Sequence, residues 1–120
     1  MKRRKILLAE DEEILRFLYR EELQEEGFEV VTASNGKEAL RQLEKAKPDL
    51  VILDIAMPAM DGLEALPRIK EKRKGIPVIV YTSHPGYLTH AGTQAADACI
   101  LKSGDLEEIK EKVRQLLVVE

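Results

Sequence analysis

Five short apolar runs recur along the sequence, and segments with helical spacing separate them. The runs cover residues 6–9, 28–33, 50–53, 78–81 and 98–101. The run at 50–53, Leu-Val-Ile-Leu, has no polar alternation, which is typical of a strand buried on both faces of a parallel sheet. Strands that alternate with helices in this way predict right-handed crossovers and one doubly wound α/β domain, a five-stranded parallel sheet with helices on both faces.

The segments between the runs carry the helical signal. Their apolar residues at helical spacing are Ile14, Leu15 and Leu18, then Ala39, Leu40 and Leu43, then Leu63, Leu66 and Ile69, and finally Leu106, Ile109, Val113, Leu116 and Leu117. Pro67 lies inside the third predicted helix and is expected to remove at most about one backbone hydrogen bond. The connection 84–93 contains one proline, two glycines and two threonines, so we expect only a short, marginal helix there.

Length and composition limit the kind of protein this is. The 120 residues fit one domain, 1–120, and a net charge of −3 gives no basis for binding nucleic acid. The basic run at 2–5 is interpreted as a solvated flank rather than a nucleic-acid or membrane patch. Cys99 is the one cysteine, which excludes an intramolecular disulfide and a cysteine-cluster metal site. With no signal peptide and no segment of membrane-spanning length, we expect a cytoplasmic protein without a membrane partner.

Polar side chains follow four of the predicted strands. They are Glu10 and Asp11 after the first strand, Asp54 after the third, Thr82 and Ser83 after the fourth, and Lys102 after the fifth. Doubly wound sheets bind ligands outside the carboxyl ends of their strands, so we expect these side chains to share one crevice. An ionised carboxylate behind a buried strand is tolerated only when it is paired, hydrogen-bonded or metal-bound. Asp54 therefore needs partners from elsewhere in the chain.

This set of side chains suits Mg²⁺ and a phosphoryl group. Carboxylates brought together repel one another, and Mg²⁺ accepts oxygen ligands while keeping coordination sites that a phosphate can share. Lys102 supplies a positive charge and Thr82 a hydroxyl donor, and both can reach phosphoryl oxygens. A carboxylate can attack phosphorus to give an aspartyl phosphate, and Asp54 is placed for that attack.

Four segments stand in a distinctive order along the chain: LLAEDEE, LVILDIAMPAMDG, VIVYTS and CILKSGDLEE. In this order they resemble the acidic pair, phosphoacceptor loop, switch threonine and lysine segments of the receiver domains of two-component response regulators, and the likeness covers essentially the whole chain. It implies a CheY-like, flavodoxin-like fold with strand order 2-1-3-4-5. The site roles that it implies are a phosphoacceptor at Asp54, Mg²⁺ ligands at Glu10, Asp11, Asp54 and the backbone carbonyl of Ala56, and phosphoryl binding by Lys102 and Thr82.

Three features depart from the family's pattern. Cys99 stands where the family usually has tyrosine or phenylalanine, so we expect the switch from Thr82 to be weakened or carried by Tyr81 or Tyr87. We interpret Cys99 as a small buried hydrophobic residue rather than a reactive thiol. Ser103 stands where the family commonly has a proline in a cis bond, so we expect a trans peptide and a reshaped loop rather than a strained cis bond that the rest of the site maintains. The connection after the fourth strand is also shorter than usual.

Three further residues flank the expected phosphoryl group, namely Ala56, Ser83 and His84. The positions of Ala56 and His84 are those that border the phosphoryl group in the family. Alanine cannot orient an attacking water, so we expect slow self-hydrolysis of the aspartyl phosphate unless His84 orients that water.

The predicted function is a signalling switch, not an enzyme with a separate substrate. A sensor histidine kinase or a phosphotransfer protein donates a phosphoryl group to Asp54, and the added charge changes the surface that meets an effector domain or target protein. The alternative is a degenerate receiver that docks proteins without significant phosphorylation, which Cys99 and Ser103 motivate. An aspartyl-nucleophile enzyme is disfavoured because no second acid lies two residues after Asp54. A dinucleotide site is disfavoured because no G-x-G-x-x-G follows the first strand.

Overall fold

The computed structural model describes residues 3–117. Its strands are β1 (Lys5–Ala9), β2 (Glu29–Ala33), β3 (Leu50–Leu53), β4 (Val78–Thr82) and β5 (Ala98–Leu101). Its α-helices are α1 (Glu13–Glu25), α2 (Gly36–Ala46), α3 (Gly62–Lys72) and α4 (Glu107–Leu116). Each strand agrees with its predicted apolar run to within one residue at either end.

The strands form one parallel sheet in the order β2-β1-β3-β4-β5. This confirms the doubly wound fold and the strand order that the resemblance implied. In the centre of the sheet β1 pairs with β3 up to Ala9 and Leu53, and at one margin β4 pairs with β5 up to Thr82 and Leu101. Because parallel strands end at the same edge, the residues that follow these strands lie together at the carboxyl edge of the sheet.

Helices cover both faces of the sheet, as predicted. Successive strand residues alternate between two apolar clusters, so that Leu7 belongs to one and Leu8 to the other. The cluster with Leu7 includes Leu43 of α2 and Leu66 of α3. The cluster with Leu8 includes residues of α1 and α4, such as Val113. α1 and α4 therefore share one face of the sheet, and α2 and α3 share the other.

The buried face of α1 differs from the prediction. Ile14 and Leu18 were expected to face the core with Leu15, yet Ile14 is 82% exposed and Leu18 43% exposed. Tyr19 and Leu23 are buried instead, and with the half-buried Leu15 they recur every four residues along one side of the helix. A neighbouring strip of α1 therefore carries apolar side chains into solvent. We call this set the α1 stripe: Ile14, Phe17 and Leu18.

The connection between β4 and β5 forms two short 3₁₀ turns, Pro85–Leu88 and Ala91–Thr93, and within residues 3–117 no α-helix joins these strands. This confirms the expectation of a marginal helix, because Pro85 and the glycines in this stretch oppose helix formation. Side-chain hydrogen bonds hold the segment instead. The buried Thr93 hydroxyl lies 2.7 Å from the carbonyl oxygen of Tyr87 and 2.9 Å from that of His90.

The two helices on the face of the sheet that holds Leu7 begin at side-chain caps. Asn35 Oδ1 accepts a hydrogen bond from the Glu38 N–H at the start of α2, and Asp61 Oδ1 accepts one from the Glu64 N–H at the start of α3. α3 continues through Pro67, which is exposed, to Lys72. The cap at Asp61 fixes the point where the loop after Asp54 turns into helix.

Candidate functional site

Three carboxylates converge at the carboxyl edge of the sheet. Glu10 and Asp11 follow β1, Asp54 follows β3, and these two strands are neighbours. Each residue offers an oxygen that lies within 4.8 Å of the others. Glu10 is 1% exposed and Asp54 7% exposed, whereas Asp11 is half-buried. Such a cluster concentrates negative charge where water cannot fully solvate it, so it requires a cation.

Lys102 reaches this cluster from β5. Its Nζ donates a hydrogen bond to Glu10 Oε1 at 2.6 Å and lies 3.4 Å from Asp54 Oδ2. The Lys102 side chain is only 11% exposed, and its backbone N–H donates to the Thr82 carbonyl at 2.6 Å. The structure therefore brings the predicted lysine to the predicted acids, with its shorter contact to Glu10.

Burial and pairing shift the pKa values of these groups in ways that can be traced. Burial raises the pKa of Asp54 above its ordinary value of 3.8, and the charge and hydrogen bond of Lys102 offset this only in part. Burial likewise raises the pKa of Glu10; the hydrogen bond from Lys102 opposes the rise, and the charge of Asp54 adds to it. Burial alone would lower the pKa of Lys102, but its hydrogen bond to Glu10 and the nearby carboxylate charges outweigh burial and raise it. Lys102 therefore stays charged beside the acids.

The loop between β1 and α1 is held by contacts that sequence reasoning missed. Arg16 Nη1 donates to the carbonyl oxygens of Glu10 at 2.9 Å and Asp11 at 3.2 Å. The Glu12 N–H donates to Glu10 Oε2 at 3.1 Å, so both carboxylate oxygens of Glu10 are engaged. The available signal was an arginine in the first turns of the helix that follows the acidic pair.

The loop after Asp54 folds back tightly on the site. A side chain at Gly62 would overlap the carbonyl oxygen of Asp54, and the Gly62 N–H donates to the Ile55 carbonyl at 2.8 Å. Ala59 adopts a left-handed conformation with φ 65°, which is costly for a residue with a Cβ atom. The sequence MPAMDG thus encodes a close contact between the start of α3 and the backbone of Asp54.

The other predicted site residues follow β3 and β4 at the same edge of the sheet. Thr82 is fully buried at the end of β4, and its Oγ1 accepts a hydrogen bond from the His84 N–H at 3.1 Å. Ser83, His84 and Ala56 are exposed. The ring of His84 lies edge-on to Tyr87, with 6.0 Å between ring centroids.

The two unusual positions in β5 and after it also have defined surroundings. Cys99 is half-buried, and its thiol donates to the Tyr87 carbonyl oxygen at 3.4 Å. Burial raises the pKa of this thiol, which favours the neutral form over the reactive thiolate. Between residues 3 and 117 all peptide bonds are trans, including Lys102–Ser103, as expected from the serine at that position.

The acidic cluster fits Mg²⁺. Its donor atoms are all carboxylate oxygens, the ligands that Mg²⁺ prefers, and three of them converge from two adjacent strand ends. Three acids opposed by one lysine leave the cluster with an excess of negative charge that a divalent cation can neutralise. Glu10, Asp11 and Asp54 are therefore the residues that can hold the ion.

Adding Mg²⁺ is expected to raise the free energy of unfolding, because the ion binds the folded cluster and not the unfolded chain. The gain is about 2.7 kcal/mol when free Mg²⁺ is about 100 times its dissociation constant. Thermal unfolding with and without Mg²⁺ measures it. Asp11→Asn should remove most of the gain, and the exposed Glu71→Gln on α3 should keep it. An equal gain in both variants would contradict this site.

Comparison with known proteins agrees with the geometry. TrrA from Thermotoga maritima, solved with Mg²⁺-BeF, is 45% identical and superposes with a TM-score of 0.92 over 95% of this chain and 99% of that one. TrrA in complex with the histidine kinase ThkA is 44% identical, with a TM-score of 0.90 over 96% of this chain and 99% of that one. Sporulation initiation phosphotransferase F of Bacillus subtilis is 34% identical over 98% of this chain and 96% of its own length.

A doubly wound sheet that gathers three acids and a lysine at its carboxyl edge defines a class of phosphoacceptor signalling domains. This chain belongs to the response regulator receiver domain family, whose profile matches residues 6–114. It spans 33%, 45% and 39% of the lengths of three transcriptional regulators that it also matches, the first of them PhoP of Bacillus subtilis. Among residues 3–117, none of the helices has the length and apolar character needed to cross a bilayer.

Proposed function

We propose that Asp54 is the phosphoacceptor of this receiver domain. An Asp54 carboxylate oxygen forms a bond to phosphorus while the bond from phosphorus to the donor's imidazole nitrogen breaks. The electron pair leaves with that nitrogen, which is protonated from water. Mg²⁺ held by Glu10, Asp11, Asp54 and the Ala56 carbonyl would neutralise charge on the phosphoryl oxygens. The observation that carries this proposal is the convergence of these acids with Lys102 at 2.6 Å and 3.4 Å.

Lys102 and Thr82 bind the transferred group. The Lys102 ammonium is shared by two carboxylates before transfer, and phosphoryl oxygens offer it a more concentrated charge afterwards. Thr82 Oγ1 accepts a hydrogen bond from the His84 N–H and keeps its own proton to donate. Donation to a phosphoryl oxygen draws Thr82 toward Asp54, with Ser83 and His84 beside it.

A chain of contacts links Thr82 to Cys99. His84 follows Thr82 through the hydrogen bond described above, and the His84 carbonyl accepts one from the Tyr87 N–H at 3.1 Å. The Tyr87 carbonyl accepts from the Cys99 thiol. Movement of Thr82 therefore changes the surface formed by the 3₁₀ turns and β5, which an effector domain or target protein reads. Phosphorylation shifts the equilibrium between the original and the changed arrangement of this surface only as far as it stabilises the changed one more strongly.

The α1 stripe is the surface on which the donor protein docks. α1 begins at Glu13, two residues after Asp11, so the stripe borders the acidic cluster. Contiguous exposed apolar side chains mark protein interaction sites, and a donor that brings an imidazole to Asp54 has to cover this border. TrrA, a relative over almost the whole chain, has been solved in complex with a histidine kinase.

Phe17→Ser is expected to slow transfer from the donor protein by about tenfold, because one central apolar contact of an interface is lost. Labelling by a small phosphodonor should stay unchanged, since that donor needs no docking surface. Leu88→Ser, an exposed apolar residue of the first 3₁₀ turn, is the matched control. A parallel loss of labelling by the small donor would contradict docking at this stripe.

The aspartyl phosphate is expected to last longer than minutes unless His84 orients the attacking water, because Ala56 has no polar group to orient it. His84→Ala should lengthen the lifetime further if the imidazole orients water, and Ala56→Asn should shorten it by about tenfold. The decay of labelled protein measures both. Decay within minutes in the wild type, unchanged by His84→Ala, would contradict both the slow hydrolysis expected from Ala56 and the role of His84 in orienting water.

The remaining proposals concern the domain bounds, the catalytic scope, the partners and the location of this receiver domain. We assign the receiver domain to residues 1–120, with no catalysis beyond its own phosphorylation and dephosphorylation. The donor is a histidine kinase or phosphotransfer protein, and the output is an effector domain or target protein, without direct binding of nucleic acid. The proposed location is the cytoplasm, as the sequence pattern predicts.

The test of this function is a spectroscopic titration of the full chain. With Mg²⁺ present, beryllium fluoride or acetyl phosphate should shift amide NMR signals at the ends of β1, β3, β4 and β5. Glu71→Gln should respond as the wild type does. A spectrum that stays silent with both reagents would favour the alternative, a docking module without phosphorylation.

A further inference from the structure

Two buried tyrosines form an aromatic pair beside Lys102, and the phosphoryl site as described above does not use them. Tyr19 lies on α1 and is 7% exposed, and Tyr81 lies on β4 and is 3% exposed. Their ring centroids are 5.4 Å apart, with an angle of 63° between the planes, an edge-on arrangement. The Lys102 Nζ atom lies 5.9 Å from the centroid of the Tyr19 ring. This distance is within the range of a cation–π interaction.

Lys102 needs such a support because of where it starts. Its backbone leaves the end of β5, whereas Asp54 follows β3, two strand intervals away across β4. Two intervals amount to about 10 Å. A flexible four-carbon stem has many competing rotamers, and a side chain packed beside its charged end reduces their number in addition to the contacts with Glu10 and Asp54. The Tyr19 ring lies at the far end of this stem, 5.9 Å from Nζ.

The two tyrosines lie on elements next to the two ends of the Lys102 side chain, β4 beside its backbone and α1 beside the acidic cluster. Tyr81 directly precedes Thr82, whose carbonyl accepts the Lys102 N–H, and Tyr81 pairs with Ile100 on β5. Tyr19 is fixed by α1, which begins two residues after Asp11. Burial raises the pKa of each tyrosine to about 12, so both rings are neutral and contribute a π-face rather than a charge.

We propose that Tyr19, supported edge-on by Tyr81, is a positioning residue that holds the Lys102 ammonium against Glu10 and Asp54 and so sets the affinity for a phosphoryl group. The proposal rests on the proposed function, in which Lys102 binds that group. Simple core packing would also bury both rings, but it predicts no dependence of the tyrosine's effect on Lys102.

The experiment is a double-mutant cycle on the full chain. Beryllium fluoride is titrated at saturating Mg²⁺ and followed by amide NMR, and Mg²⁺ alone is titrated by calorimetry. The variants are Tyr19→Leu, the ring-retaining Tyr19→Phe, Lys102→Ala and the double variant. Tyr19→Met, which fills the core without a ring, replaces Tyr19→Leu if the latter does not fold.

Tyr19→Leu is expected to weaken binding of beryllium fluoride by about fivefold. Tyr19→Phe should bind within about twofold of the wild type, since the ring is retained. Mg²⁺ affinity should change by less than about twofold in both, because neither removes an ion ligand. In the Lys102→Ala background, Tyr19→Leu should cause no further loss.

Three results would overturn the positioning role: wild-type affinity in the variant without the ring, an equal loss in the Lys102→Ala background, or a matching loss of Mg²⁺ affinity. Failure of the wild type to bind beryllium fluoride would overturn the proposed function itself. Wild-type binding that weakens in Lys102→Ala and not in Tyr19→Leu would overturn the role of the tyrosine alone.

Discussion

Asp54→Asn is expected to lower incorporation of phosphoryl groups from a small phosphodonor by at least about a thousandfold, because an amide cannot serve as the nucleophile. The substitution keeps the size of the side chain, removes its charge and replaces one acceptor oxygen with an NH₂ donor. Radiolabel or mass gain after incubation with Mg²⁺ and acetyl phosphate measures the loss. Glu71→Gln applies the same change of acid to amide at an exposed site and should be labelled normally. Substantial labelling of Asp54→Asn would place the acceptor elsewhere.

The same substitution is expected to raise the free energy of unfolding at neutral pH without metal. Burial holds the pKa of folded Asp54 above 3.8, so the ionised carboxylate opposes folding. This cost is absent below pH 3.8, appears as pH rises through the folded pKa and is fully present above it. The stabilisation by Asp54→Asn should therefore shrink as pH falls toward 3.8, which urea unfolding at several pH values measures. A gain in the free energy of unfolding that does not change with pH would show that the ionised Asp54 carboxylate is not its cause.

Lys102→Ala is expected to affect both stability and ligand binding. It leaves Glu10, which is 1% exposed, without its 2.6 Å partner. Breaking a buried ion pair from one side costs about 3 kcal/mol, and Mg²⁺ should restore part of that loss by neutralising the acids. Affinity for beryllium fluoride should fall by about a hundredfold, the usual effect of removing one charged donor from a reacting group. Urea unfolding and amide NMR titration measure the two effects.

Two further variants separate the effect of the Lys102 charge from the effect of its shape and from the general loss of a lysine. Lys102→Arg keeps the charge, so it should retain most of the stability while losing affinity, because a planar guanidinium does not replace a point charge in a tight site. Lys74→Ala removes an exposed lysine and should change neither quantity. Full phosphoryl affinity in Lys102→Ala would contradict the role given to this residue.

The fold was predictable because its signal lies in the sequence pattern itself. An unbroken run such as Leu50–Leu53 can be stable only when both faces are covered, and this forces helices onto both sides of the sheet. The weak connection after β4 was predictable for the same kind of reason, since Pro85 and two glycines cannot support a long helix. The strand order came from family likeness, because local patterns do not determine which strands are neighbours.

The centre of the site was predictable because parallel strands end at one edge. Glu10, Asp54 and Lys102 could be placed at one edge of the sheet from strand ends alone, and the family likeness brought their strands close together. Which acid Lys102 contacts more closely could not be predicted, because its shorter contact to Glu10 depends on side-chain geometry. The exposure of Ile14 was not predicted. Helical spacing shows that apolar residues line the helix, but when they occupy two adjacent stripes it does not show which stripe faces the core. Tyr19 carries no sequence signal beyond that of a core residue.

The most direct test of the account is to locate the phosphoryl group. The wild-type chain is incubated with acetyl phosphate and Mg²⁺, digested, and analysed by mass spectrometry for the peptide that gains one phosphoryl group. Modification is expected at Asp54, and none is expected when a chelator removes the ion. Modification at another residue, or equal labelling of Asp54 without a divalent cation, would contradict it.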